Sequence, residues 1–348
     1  MERRPPSWRI PRTQVDMMLH GEQQINLAVR RSNLAKGLQA LGGLTKPQIT
    51  LVSNQLANHA EIYDTPVEDT NVARLNAIDL INMIGMPFQT SAGVVRGMRG
   101  VSEAIMPEVM QHMISIAEGQ RFMHQHDKKP VTINVGSDLD VRVAYMGSDW
   151  EGIGGVYVWA RDKKSHGYVP LYVIRGNPLV ENGNPHFEIH SLQAWISTQM
   201  PDMSNIVRIA RGNPNNPTMA KMLTVAREHN RLVDRIIRMT KADSTMNRED
   251  LILLVATAYL KGVGIQDIRG IAHEYQPALA GRQTSEDIGV MPFNYDGLFG
   301  RWFERDESNS AFPWKVSVIG QGQYIRHYDE VPIETKGLLE SIFQGTYR

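Results

Sequence analysis

Four arginines carry the clearest chemical signal in the chain. Arg227, Arg231, Arg235 and Arg238 recur at i, i+4, i+8 and i+11 within REHNRLVDRIIRMTK. On a helix they occupy an arc of roughly 80°, with Lys241 just beside it. Met222, Val225, Leu232, Val233, Ile236 and Met239 fall on the other side. Such a helix buries one face and shows arginine on the other. Residues 205–241 hold eight basic and two acidic residues, Arg208, Arg211 and Lys221 among the basic ones. A row of like charges repels itself, and a polyanion relieves that repulsion. Guanidinium presents a planar fork of donors that suits phosphate, so the stripe predicts phosphate contacts to single-stranded RNA. The same stripe also fits a solvated face, with Glu228 and Asp234 pairing with Arg231, or a protein–protein contact.

Two further basic segments stand out. VVRGMRG (94–100) sets Arg96 and Arg99 beside glycines, which let backbone N–H groups approach a phosphate. It equally fits a basic loop. MERRPPSWRIPR carries Arg3, Arg4, Trp8, Arg9 and Arg12 among three prolines, and reads as an extended basic arm for assembly. An aromatic group, Phe293, Tyr295, Phe299, Trp302 and Phe303, suits either base stacking or a satellite core.

Enzyme templates are not matched. There is no GxxxxGK[ST] phosphate loop and no GxSxG elbow, and GIGGVY and GVGIQDIRG lack dinucleotide-loop spacing. His186, Glu188 and His190 share a face on either a helix or a strand, but no further ligand is evident. A metal-dependent enzyme using these three residues is the alternative they leave open. His124 and His126 fit a helix exit, and His229 fits an apolar helix side. No catalytic residue, metal or cofactor is expected. The chain has no cysteine, which excludes disulfides, thiolate nucleophiles and Cys-based metal sites.

These groups need elements to position them. The chain has 348 residues, with Lys+Arg 37 and Asp+Glu 37, so its formal net charge is zero. Arginine supplies 26 of the basic residues and lysine 11. A neutral sum excludes a uniformly basic coat but leaves room for a local charged groove. The opening residues lack an apolar h-region, and no run of 18 apolar residues occurs, so neither a secretory leader nor a membrane span is expected. Apolar periodicity predicts helices over 13–41, 45–63, 72–84 and from Pro107 to about 127. VTINV, LDVRVAYM, GVYVWAR and YVPLYVIR alternate and are separated by Gly/Ser/Asp turns, which predicts a small antiparallel meander with Pro170 marking an edge strand. Residues 177–185 read as a Pro/Asn/Gly loop. Helices are then expected over 191–198, 218–241, 247–262 and 265–274. Residues 278–313 read as irregular, followed by a strand-like KVSVIG and a short helix near 335–343.

The expected fold is therefore mainly α with a small antiparallel β meander. Two helical lobes (13–127 and 186–277) flank a central β element (128–185), with an arm at 1–12 and an irregular C-terminal region at 278–348. This layout resembles the nucleocapsid and coat proteins of RNA viruses. The features that carry the resemblance are the basic arm, the helical region around REHNRLVDRIIRMTK and the C-terminal end from ESNSAFPWKV onward. The resemblance covers the whole chain in layout and composition, without a family-specific motif. It implies a homo-oligomeric structural protein that packages single-stranded RNA, with no membrane partner, found in the virion and the host cytoplasm. A shell protein assembling through protein contacts alone is the rival expectation.

Overall fold

The computed structural model describes residues 12–57, 65–84, 87–95, 101–126, 130–135, 139–146, 154–162, 168–194, 246–275, 294–317 and 326–347, with seven positions between 224 and 238. The chain divides into two compact units, Met1–Leu80 and Ile81–Arg348.

The first unit is helical, as its periodicity predicts. Helix α1 (Arg12–Leu41) ends at Gly42 and Gly43, whose φ values of 79° and 80° suit glycine. Helix α2 (Lys46–Leu56) begins after Thr45, whose backbone N–H donates to Gln48 Oε1 at 2.8 Å. Helix α3 (Thr70–Ile84) starts under Asp69, which accepts from the N–H groups of Asn71 and Val72. Leu34, Leu38, Val52, Leu56, Ala73, Ala77 and Leu80 are buried. Gly37 lets α1 and α3 touch, because a Cβ there would lie 2.2 Å from the Ala73 carbonyl oxygen.

The second unit overturns the expected mainly-α fold. Strands β1 (Phe88–Thr90) and β2 (Gly93–Val95) form a small hairpin. Strands β3 (Val131–Val135), β4 (Leu139–Met146), β5 (Gly155–Asp162), β6 (Val169–Glu181), β7 (Asn184–Ala194), β8 (Asp267–Gly270), β9 (Glu304–Arg305) and β10 (Trp314–Ser317) form one eight-stranded sheet. Its order is β3-β4-β5-β6-β7-β8-β10-β9, and it is mixed because β7 and β8 run parallel. The four-strand meander is present, but it is only part of this sheet.

Each departure has a local cause. Residues 177–185 are not a loop. They carry β6 into β7 through Asn182-Gly183, both at positive φ (52° and 80°), the conformation of a two-residue hairpin turn. Both faces of this hairpin are buried, so strict alternation is lost from its sequence. Residues 191–194 continue β7 rather than opening a helix. Ile265, Ile268 and Ile271 imitate helical spacing, yet they flank and fill β8, and all three are fully buried. Pro170 is not on an edge strand. It pairs with Trp159 where the β5–β6 register shifts, and a bulge tolerates the missing N–H in an interior strand.

Helix α4 (Met106–His126) lies against β6, where Gly119 brings its backbone onto Pro178. Helix α5 (Arg248–Val263) packs beside the C-terminal helix α7 (Ile333–Tyr347), and α7 also covers β3. The C-terminal end is therefore built into this unit rather than forming an arm. Asn247 and Asp250 form a reciprocal cap on α5, and buried Asp250 also accepts from Trp302 Nε1 at 2.8 Å. Helix α6 (Tyr295–Trp302) lies in the stretch expected to be irregular, and its Tyr295, Phe299 and Trp302, with Phe303, are core residues.

Candidate nucleic-acid interface

The described positions Thr224, Arg227, Arg231, Leu232, Asp234, Arg235 and Arg238 are all helical. Leu232 is completely buried in the main core and sets the rotation of this segment. Counting roughly 100° per residue, Arg235 lies about 60° from Leu232, Arg231 about 100°, Arg238 about 120° and Arg227 about 140°. Arg235, nearest to Leu232, is the least exposed of the four. Arg235 is 21% and Arg231 47% exposed at the side chain, and Arg238 and Arg227 are exposed.

The structure thus splits the stripe. Arg235 Nη1 donates to Asp162 Oδ2 at 2.7 Å, and Arg231 Nη2 reaches the same oxygen at 3.4 Å. Asp162 ends β5 and is largely buried, so one carboxylate holds two guanidinium groups at the sheet margin. Partly exposed pairs of this kind contribute about 1 kcal/mol or less each. Among the described residues, no ion pair engages Arg227 or Arg238.

A second arginine group lies on β4 and β5. Alternation sends Val141, Val143, Val158 and Ala160 to the core, and places Asp140, Arg142, Trp159 and Arg161 on the other face. Register pairs Asp140 with Arg161, and Arg142 with Trp159. Arg161 donates to Asp140 Oδ2 through Nη2 at 2.5 Å and Nε at 3.2 Å. That hydrogen bonding raises the Arg161 pKa. The Arg161 guanidinium lies 4.7 Å and the Arg142 guanidinium 5.4 Å from the Tyr168 ring centre, and Arg142 is 6.0 Å from the Trp159 ring. Sequence reasoning missed this group. Its signal is the non-core half of the period-2 pattern in LDVRVAYM and GVYVWARD.

His186, Glu188 and His190 do share a strand face, but it is closed. All three are almost fully buried where β6, β7 and β8 meet α4. His112 of α4 is half-buried and stacks on Phe88, with ring centres 4.6 Å apart. Desolvation lowers His112 to about 3, and His186 and His190 to about 4 each. The same cause raises Glu188 to about 8 despite Arg269 at 3.8 Å. His186 Nε2, Glu188 Oε2 and His190 Nδ1 make no hydrogen bond. Among the described residues, no three His, Asp or Glu side chains are arranged to hold a metal ion.

Arg12 is the first residue of α1. Arg3, Arg4, Trp8, Arg9, Arg96, Arg99, Arg208, Arg211 and Lys241 lie outside the described residues. A separate polar cavity of about 370 Å³ is lined by His273, Asp296, Arg305, Asp306 and Trp314, among others. No family model, curated protein or solved structure matches the chain.

Proposed function

We propose that the chain is a viral structural protein, a coat or nucleocapsid subunit that self-assembles and holds single-stranded RNA through arginine-lined surfaces. The observation that supports this most is the split stripe. Asp162 anchors Arg231 and Arg235, which fixes the segment, and Arg227 and Arg238 stay exposed beside them. An anchored segment with outward arginines offers a pre-positioned phosphate contact at low entropic cost.

The test is binding of a single-stranded RNA homopolymer measured across salt. Arg227→Ala with Arg238→Ala is expected to weaken binding and to reduce the slope of log K against log [salt] by about 1.4, since each neutralised phosphate accounts for roughly 0.7 of that slope. Unchanged binding and slope in the double variant would remove these arginines from the interface.

Assembly through protein contacts alone is the second reading. Val72 and Leu75 favour it, being 45% and 56% exposed one turn apart on α3. Particles that form identically after nuclease treatment would support it over RNA packaging.

A further inference from the structure

We propose that the outer face of β4 and β5, with Tyr168, is a stacking platform for unpaired bases of single-stranded nucleic acid. The inference rests on the RNA reading above and adds a second contact of a different kind to it.

The platform is built from supported rings and guanidinium planes. Tyr157 is buried and stacks against Trp159, with centroids 5.6 Å apart and planes at 19°. Trp159 is half-buried, so Tyr157 supports a ring that stays partly open to solvent. Arg142 lies between Trp159 and Tyr168, and Arg161 lies on Tyr168. Asp140, whose side chain is only 4% exposed, fixes Arg161 through two of its nitrogens. The rings of Trp159 and Tyr168 and the guanidinium planes of Arg142 and Arg161 therefore share one patch.

The patch is open on the β3 side. Thr132 and Asn134 occupy this face of β3 and are exposed. Among the described residues the helices pack elsewhere, with α7 against β3 on the core face, where Gly345 meets Val131 and Ile133. These side chains are not needed to hold the sheet together, because Val141, Val143, Val158 and Ala160 fill its core face.

Charge selects the occupant. Arg142 and Arg161 share this face with one carboxylate, that of buried Asp140, whereas Asp162 with Arg231 and Arg235 lies on the opposite side of β5. This face is therefore basic. A strand with planar bases and anionic links matches both features. Bases stack on tyrosine, tryptophan and guanidinium planes, and flanking phosphates suit arginine donors. An acidic peptide would satisfy the charge but would leave the rings unused.

The experiment compares RNA homopolymer with inorganic polyphosphate, which has the charge but no bases. Parent protein, Tyr168→Leu, Trp159→Leu and Trp159→Phe are measured, with thermal melts to confirm folding. Either leucine variant is expected to lose about tenfold or more in RNA affinity, to keep its polyphosphate affinity, and to keep the parent salt slope. Trp159→Phe is expected to recover most of the loss. Equal RNA binding by the parent and both leucine variants overturns the platform but leaves the arginine contact standing. Altered sedimentation with unchanged RNA binding also overturns it, and makes the face a contact between copies. A parent that binds no RNA overturns the RNA reading itself.

Discussion

Two regions of the second unit use the same kinds of residue in opposite ways. Between α4 and the sheet, His112 of α4 faces His186, His190, Glu188 and Arg269, and four of the five have the pKa shifts expected when charge is expelled. At the margin of β4 and β5, two arginine groups stand at the edge of solvent, Arg142 and Arg161 beside Asp140 on one face and Arg231 and Arg235 on Asp162 at the other. Burial removes charge as a means of meeting a ligand and makes it a determinant of stability. Partial exposure does the reverse. His186, Glu188 and His190 have the spacing of a site and not its access.

Acid should separate the two regions most strongly. The three histidines have folded pKa values below their ordinary 6.5, so the folded state favours their neutral forms. Their contribution is intact above pH 6.5 and is lost as pH falls through that value toward about 4, and toward about 3 for His112. Glu188 has the opposite sign, since its raised pKa withdraws stability as pH rises from its ordinary 4.5 toward about 8. Three groups outweigh one on the acid side. His186 and His190, both almost fully buried, each withdraw on the order of 3 kcal/mol when fully titrated, a large share of a typical domain's stability, and half-buried His112 withdraws less. Denaturation midpoints from pH 7.5 to 4 are expected to fall steadily below 6.5, with a shallower fall in His190→Gln. A flat profile would show that the layer opens to water.

The next effect is mechanical. A Cβ on Gly119 would lie 2.1 Å from the Pro178 carbonyl oxygen, and both partners there are backbone. Gly119→Ala is expected to cost about 3 kcal/mol by forcing α4 off β6, read as a lower urea midpoint. RNA binding by the protein that remains folded should be unchanged, because α4 does not reach the arginine margin.

The smallest effect on stability bears most on function. Asp162→Ala removes one carboxylate from two partly exposed arginines, with an expected loss of about 1 kcal/mol. Loss of this anchor should weaken RNA binding, because the exposed Arg227 and Arg238 are then no longer held in place. A rise in affinity with a steeper salt slope would instead show that Asp162 competes with phosphate more than it positions the segment.

Parts of this were legible from residues alone. The helices of the first unit, α4, α5 and the four-strand meander follow from periodicity, capping residues and turn dipeptides. The turn at Asn182-Gly183 was readable too, but the prolines and glycines around it obscured a hairpin buried on both sides. Strand β8 was not readable, because four residues carry too little alternation and the flanking isoleucines imitate a helix. For the candidate site, the row of arginines was visible and its division was not. Trp159, Arg142 and Arg161 became a group only when register placed β4 beside β5 and brought in Tyr168.

By itself, then, the sequence determined the helices of the first unit, α4 and α5, where arginine concentrates, and that a zero net charge permits only local basic surfaces. Those are properties of neighbours along the chain, within a few residues of one another. Tertiary structure decided the size of the sheet, the parallel pairing of β7 with β8, and the fate of every charged group. Leu232 and Asp162 lie 70 residues apart, yet together they decide which arginines turn inward. That outcome depends on burial and on a carboxylate from another element, and neither is encoded in the spacing of the arginines.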